Sequence, residues 1–281
     1  MNFEYFKKWC MDKVINIIVV VAFLMFVLFI IFVAGISSNF QGYTCMASNV
    51  SLSTKKIEWG IQRKNNHEQP NLGDLNKRII EEFDGMAIGN NQKPYIYLTF
   101  DVGYEGGYTE RILDILKDNQ VPAAFFITGQ FVKTNPEIIQ RMIDEGHIVG
   151  NHTVNHICMP SSSEEKITDE MMNLHKSIYE KFNYEMKYMR PPKGEYSEKS
   201  LAVVQKLGYV PVMWSFAYDD WDNNKQGKEE YGKKKILDNL HNGEIMLLHA
   251  TSKDNANILD YIIKEIKRQE YEFKSLDEFE R

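Results

Sequence analysis

The spacing of apolar positions divides the chain into one unbroken apolar run and a long alternation of short patterns. Val14 to Ile36 reads VINIIVVVAFLMFVLFIIFVAGI, with no charge in 23 residues. A segment apolar on every side does not suit a helix that packs one face on a core. At about 1.5 Å per residue it can cross a hydrocarbon layer of about 30 Å. The expectation is an uncleaved transmembrane anchor over 14–36. A cleavable signal peptide competes with it, although such peptides have apolar cores of about 7–15 residues; Cys45-Met46-Ala47 loosely imitates a cleavage site. Lys7, Lys8 and Lys13 precede the run, and no Lys or Arg follows before Lys55. That bias puts residues 1–13 in the cytoplasm and the rest outside, a single-pass membrane protein with its main domain extracytoplasmic. Residues 37–56, small and polar, read as a stem.

Residues 57–91 form an irregular N-terminal extension expected to pack on the main domain. It contains one helical spacing, Leu75, Ile79, Ile80 and Phe83, opened by Gly73-Asp74. From Tyr95 the period changes. A β-branched and aromatic run, YIYLTF, ends at Asp101 and meets Gly103, Gly106 and Gly107. Helix patterns then follow over 109–119, 136–145, 162–182, 198–207, 233–240 and 255–268. Strand patterns fall between them at 123–127, 147–150, 187–189, 209–215 and 244–248. This alternation predicts an α/β fold with a mostly parallel sheet. About six βα units fall short of an eight-fold barrel, so an irregular, incomplete (β/α) barrel over 92–281 is expected.

Composition narrows the function. Net charge is −6 with no basic stripe interleaved with aromatics, so nucleic acid is not a partner. Three cysteines, Cys10, Cys45 and Cys158, form neither a CxxC nor a disulfide framework.

Chemistry-bearing residues gather just after the predicted strands, where α/β sheets and barrels place their sites. Asp101 ends the first strand; alone, it could equally be a turn residue. His152 and His156 follow the strand at 147–150, and i, i+4 spacing puts both imidazoles on one face of a helical turn, within reach of one ion. Alone, HxxxH is more often a pair of surface histidines. Arg190 follows the next strand and can orient a carboxylate through its planar fork. Asp220 and His249 follow the last two strands; paired, the carboxylate would keep the imidazole protonated as a general acid requires. Together the five placements predict a metal-assisted active site at one barrel mouth.

These blocks, in this order, resemble the five motifs of the polysaccharide deacetylase family, the NodB-homology domain of family 4 carbohydrate esterases. TFDVGYE, His152–His156, RPPKG, YDDW and LLH are similar to its successive motifs. DEGHIVGNHT, LLHATSKDN and YEFKSLDE resemble the branch acting on N-acetylmuramic acid of peptidoglycan, on the way to muramic δ-lactam in spore cortex. The resemblance implies Asp101 as general base, Arg190 holding it, His249 as general acid and Asp220 tuning that acid. It implies His152 and His156 as ligands of zinc or another divalent ion. Trp221 and Leu247 would wall in the acetyl methyl, the Lys193 backbone N–H would receive the oxyanion, and Tyr104 would contact substrate. The partners implied are peptidoglycan glycan strands whose muramic acid lacks peptide stems, since lactam closure needs a free lactyl carboxylate.

Two positions depart from the family pattern. Val102 stands where a second carboxylate usually gives the third metal ligand; the muramic branch also replaces that Asp, usually with Asn. Cys158 is an alternative third ligand, disfavoured because it lies i+2 from His156. Ala217 replaces a frequent Asp. A deacetylase of N-acetylglucosamine polymers and a non-catalytic glycan-binding protein with a decayed metal site are therefore the alternative functions.

Overall fold

The computed structural model describes Met25 and residues 52–281. The expected anchor apart from Met25, the N-terminus expected in the cytoplasm and most of the expected stem lie outside the described residues. Among the described residues no helix is long and apolar enough to cross a membrane.

The strand at the centre of the sheet is β2 (Tyr95–Val102). It is flanked in parallel by β3 (Ala124–Ile127) and β8 (Glu244–His249). Beyond β3 come β4 (Ile148–Asn151), β5 (Tyr188–Met189) and β7 (Val210–Pro211), all parallel, in the order β7-β5-β4-β3-β2-β8. A short β9 (Glu272–Phe273) pairs with the start of β2. The connections are α2 (Thr109–Asn119), α3 (Gly129–Thr134), α4 (Pro136–Asp144), α5 (Glu164–Phe182), α6 (Glu198–Lys206), α7 (Glu229–Asp238) and α8 (Lys253–Arg268). Parallel strands need such crossovers, which cover the sheet and explain why β2, β3 and β8 read as near-continuous apolar runs.

The pleat of β2 sorts its side chains into two layers. Ile96, Leu98, Phe100 and Val102 belong to the main core with Ile112, Leu113 and Leu116 of α2 and Ile258, Leu259 and Ile262 of α8. Tyr97 belongs to a separate inner cluster with Phe126, Tyr188, Val212 and Ile245.

The predicted strand over 209–215 is broken. Val210 and Pro211 pair with β5, and the chain then bends so that Phe216 bridges Met246 of β8. The Val210 and Val212 N–H groups bond β5, and beyond them the backbone turns to another partner, the Met213 N–H donating to the Met86 carbonyl at 2.7 Å. Phe216 brings this segment against β8, so a single bridge joins the two ends of the strand order.

Other boundaries shift with local chemistry. Helix α5 begins at Glu164, with Ser163 as its cap. Helix α8 starts two residues before the predicted Asn255 because the Ser252 hydroxyl caps it, and α7 begins at Glu229 rather than Lys233. Helix α3, capped by Thr128, has too few apolar positions to show a period, and the pair β1 (Ile57–Glu58) with β6 (Glu195–Tyr196) is too short to show one. In the extension, α1 (Asp74–Glu82) buries Ile79 and Ile80 in a cluster with Trp59, Phe83, Tyr196, Leu201 and Met213. The Trp59 indole donates to the Trp214 carbonyl at 2.9 Å.

Candidate active site

A cavity of about 1080 Å³ opens at the C-terminal ends of the strands. Asp101, His152, His156, Lys193, Trp221, Leu247, His249 and Tyr104 all line it. Arg190 and Asp220 stand immediately behind, each bonded to a lining residue. The parallel register explains the convergence: Asp101 is the direct cross-strand neighbour of Phe126 on one side and of His249 on the other.

Arg190 is fully buried and spends its guanidinium on fixed acceptors. Nη1 donates to Asp101 Oδ1 at 2.9 Å, Nη2 to Thr99 Oγ1 at 2.9 Å and to the Met213 carbonyl at 3.2 Å, and Nε to the Val212 carbonyl at 3.0 Å. The ring of Phe126 lies 4.3 Å beneath it. Burial alone would raise the Asp101 pKa, but the positive charge of Arg190 above all, with that of His249, outweighs it and holds the carboxylate low. Its second oxygen, 3.6 Å from His152 Nε2, faces the cavity region.

His249 is the opposite case. Burial would lower its pKa, but the Asp220 carboxylate 2.8 Å from Nδ1 reverses that and raises it. Asp220 itself accepts from the His249 backbone N–H at 2.7 Å and from the Asn255 amide. Asn255, a residue the strand-end reasoning missed, also receives the Tyr218 hydroxyl. Its only signal was the Ser-x-x-Asn spacing at the α8 cap.

The two histidines meet, but not on a helical turn. Residues 152–156 form a loop in which Thr153 has φ 63° and His156 φ 53°, and the rings pack edge to face with centroids 4.8 Å apart. Non-glycine residues in this region are strained. Lys193, in the loop after β5, has φ 58° as well. Sequence spacing cannot show a left-handed residue in a loop, so the helical geometry expected for the pair is corrected here.

The donor chemistry of this pair suits two ligands of a metal ion. His152 Nδ1–H donates to the Arg190 carbonyl at 2.8 Å, which fixes the tautomer and leaves the Nε2 lone pair free. Burial pushes the His152 pKa down to about 4 and lowers that of His156, so both rings are neutral. A third protein donor is missing. Among the described residues no group of three His, Cys, Asp or Glu is arranged to hold a metal ion, and Cys158 does not line the cavity. Val102 is not simply a non-ligand facing the site. It is fully buried in the main core, on the helix-covered face of β2, and does not line the cavity.

Trp221 is 60% exposed and Tyr104, 49% exposed, accepts a hydrogen bond from Asn223, so both are open to a ligand. Further lining residues that no sequence signal marked are Gln130, Lys133, Asn155, Trp214 and Thr251.

A buried Arg–Asp pair, a His–Asp pair and two neutral imidazoles thus converge on one open mouth, the kinds of group that acid–base hydrolysis uses. The sequence profile of the polysaccharide deacetylase family matches residues 88–212. The chain is 41% identical over 229 residues to the peptidoglycan-N-acetylmuramic acid deacetylase PdaA of Bacillus subtilis, covering 81% of this chain and 87% of that one. The PdaA structure superposes with a TM-score of 0.79, covering 81% of this chain and 98% of that chain. A family 4 carbohydrate esterase from Bacillus anthracis superposes at 0.70 with 38% identity, over 82% of this chain and 98% of that one. A peptidoglycan-N-acetylglucosamine deacetylase of Bacillus cereus is 34% identical over 197 residues, 69% of this chain and 91% of its own length. The chain belongs to the polysaccharide deacetylase family and has its NodB-type α/β fold. It is an enzyme of the deacetylase class, and enzymes of this family are metal-dependent.

Proposed function

We propose that this protein removes the N-acetyl group from N-acetylmuramic acid in peptidoglycan, for muramic δ-lactam formation in spore cortex, while held at the membrane by residues 14–36. The observation that carries the chemistry is the pairing of opposed groups across one register: Asp101, its pKa held low by Arg190, stands beside His249, its pKa raised by Asp220. A base and an acid whose surroundings push their pKa values apart suit amide hydrolysis. Asp101 takes the proton of the attacking water. The Lys193 backbone N–H receives the developing oxyanion, and His249 Nε2 gives its proton to the departing amine. Arg190 keeps Asp101 aimed and ionised, and Asp220 does the same for His249. Leu247 and Trp221 receive the acetyl methyl. When bound to His152 and His156, a divalent ion, zinc in this reading, supplies Lewis-acid polarisation of the acetamide carbonyl. The 41% identity to PdaA supports the muramic substrate. The 34% identity to the Bacillus cereus enzyme supports a second reading, an N-acetylglucosamine substrate.

The test is to incubate the protein with amidase-treated peptidoglycan, with and without zinc, and to follow muropeptides by mass spectrometry. Loss of 42 Da (roughly one acetyl group) from muramic acid supports the proposal. Loss only from glucosamine moves the assignment to the second reading, and no loss from either sugar rejects both.

A further inference from the structure

Residues 57–63 stand outside the βα alternation, yet they reach two separate walls of the cavity. Strand β1 pairs antiparallel with β6, Ile57 opposite Tyr196 and Glu58 opposite Glu195. The next residue, Trp59, is 8% exposed. Its backbone N–H donates to the Gly194 carbonyl at 2.9 Å, and its indole N–H to the Trp214 carbonyl at 2.9 Å. Four residues on, the Arg63 guanidinium donates to the Ala217 carbonyl. Gly194 follows Lys193 in the loop after β5; Lys193, Trp214 and Ala217 all line the cavity, whereas Trp59 does not.

The loop after β5 depends on what grips it. Pro191 and Pro192 fix its entry. Lys193 (φ 58°) and Gly194 (φ 67°) are then both left-handed. A non-glycine residue keeps that conformation only where its surroundings over-determine it. Gly194 is wedged between two tryptophans: a Cβ there would lie 2.9 Å from Trp59 Cβ and 2.7 Å from the Trp214 ring. Those two rings meet edge to face, with centroids 6.5 Å apart. Trp59 also belongs to the buried cluster with Ile79, Tyr196, Leu201 and Met213, so the grip is itself anchored.

We propose that Trp59 is a positioning residue of the deacetylase: by holding the Gly194 and Trp214 carbonyls together it sets the left-handed backbone at Lys193, and with it the aim of the Lys193 N–H. The inference rests on the reading of that N–H as the oxyanion donor and deepens it. A donor of this kind acts by pointing at the place where charge develops, not at the ground-state carbonyl. The effect of Trp59 passes through the two carbonyls it holds, and it falls on the transition state rather than on glycan binding. Residues 57–63 are thereby part of the catalytic unit and not only a covering of the sheet.

The test uses the full-length protein with zinc and amidase-treated peptidoglycan, and compares Trp59→Phe with Ile79→Val. The first keeps a ring in the cluster and removes the donor to Trp214. The second loosens the same cluster from α1 without removing a bond to either wall. Trp59→Phe is expected to lower kcat by about tenfold to a hundredfold, less than outright removal of an oxyanion donor, with KM little changed. A phosphonamidate that mimics the tetrahedral intermediate should bind more weakly by the same factor as kcat/KM falls. Both limbs of the pH profile should stay in place, since Asp101 and His249 are untouched. Ile79→Val should leave kcat and phosphonamidate affinity as in wild type even where urea unfolding shows lost stability. If Trp59→Phe does not fold, an isostere with sulfur in place of the indole N–H takes its place under the same expectations. A kcat within about twofold of wild type, a loss confined to KM, or an equal kcat loss in Ile79→Val overturns the positioning role and leaves the deacetylase reading standing. A wild-type protein that releases no acetate overturns both.

Discussion

Strand β8 carries a histidine–carboxylate pair at each end, and the two pairs ionise in opposite senses. At its C-terminal end, His249 Nδ1 lies 2.8 Å from Asp220, whose carboxylate collects the backbone N–H of His249 and the Asn255 amide. That carboxylate is well satisfied, the ring keeps partial access to the cavity, and the imidazole pKa rises. At its N-terminal end, Glu244 and His241 are 3.3 Å apart, and only three residues separate them in the chain against 29 for the other pair, yet burial drives both toward their neutral forms. His241 Nδ1–H donates to the Asn239 carbonyl and Nε2 accepts from the Ser215 hydroxyl, which fixes a neutral ring. Burial pushes that ring down to about 4. Glu244, fully buried with one oxygen lacking a partner, accepts only the His241 backbone N–H, and burial raises its pKa well above the usual range. Both pairs are close; the number of donors around the carboxylate and the access of the ring to solvent decide the charge.

The contrast breaks first at Arg190. Replacing it with Met leaves Asp101 buried and uncompensated, which should cost about 3–5 kcal/mol in urea unfolding and abolish acetate release. Loss of under 1 kcal/mol would mean the mouth does not depend on paired charge. Asp101→Asn should keep the fold and lower kcat by about 10²–10⁴-fold; a full rate would end its assignment as base. Asp220→Asn tests the His249 pair directly. With the carboxylate charge gone, burial governs the ring and its pKa falls. The alkaline limb of the kcat–pH profile, which follows loss of the acid form, should move to lower pH. A limb that stays in place assigns the acid elsewhere.

The smallest effect belongs to the lower pair. A carboxyl whose folded pKa lies above its unfolded one contributes stability below the unfolded value and loses it as pH rises. Glu244→Gln should therefore flatten the decline of stability as pH rises above the usual carboxylate range, readable by urea unfolding at an acidic and a neutral pH. An unchanged slope would show that Glu244 is ionised and paired after all.

Much of the architecture was legible because it rests on local patterns. The runs that became β2, β3 and β8 are buried on both faces and hence continuously apolar, and the 3.6-residue stripes of α2, α4 and α5 mark helices covering them. Val210–Pro211 was harder: its pattern extended to Ser215, but after Val212 the backbone leaves β5 for Met86 and then β8, partners that no local pattern names. The site residues were visible as polar groups following strands, since a parallel sheet sends each strand's C-terminal end to the same rim. What they do together was less visible. The left-handed backbone at Thr153 and His156 has no spacing signature. Lys133 lies on a helix too short to show a period. Val102 is adjacent to Asp101 in sequence but on the opposite face of the pleat.

By itself, then, the amino-acid sequence determined the α/β alternation, the order of the elements and the identity of the rim groups, because these follow from periodicity and from the residue types available at each strand end. Only the tertiary structure decided which of those groups are charged. Ionisation depends on burial and on the donors that arrive from distant segments, Arg190 for Asp101 and Asn255 for Asp220, and those distances are not encoded in any local pattern.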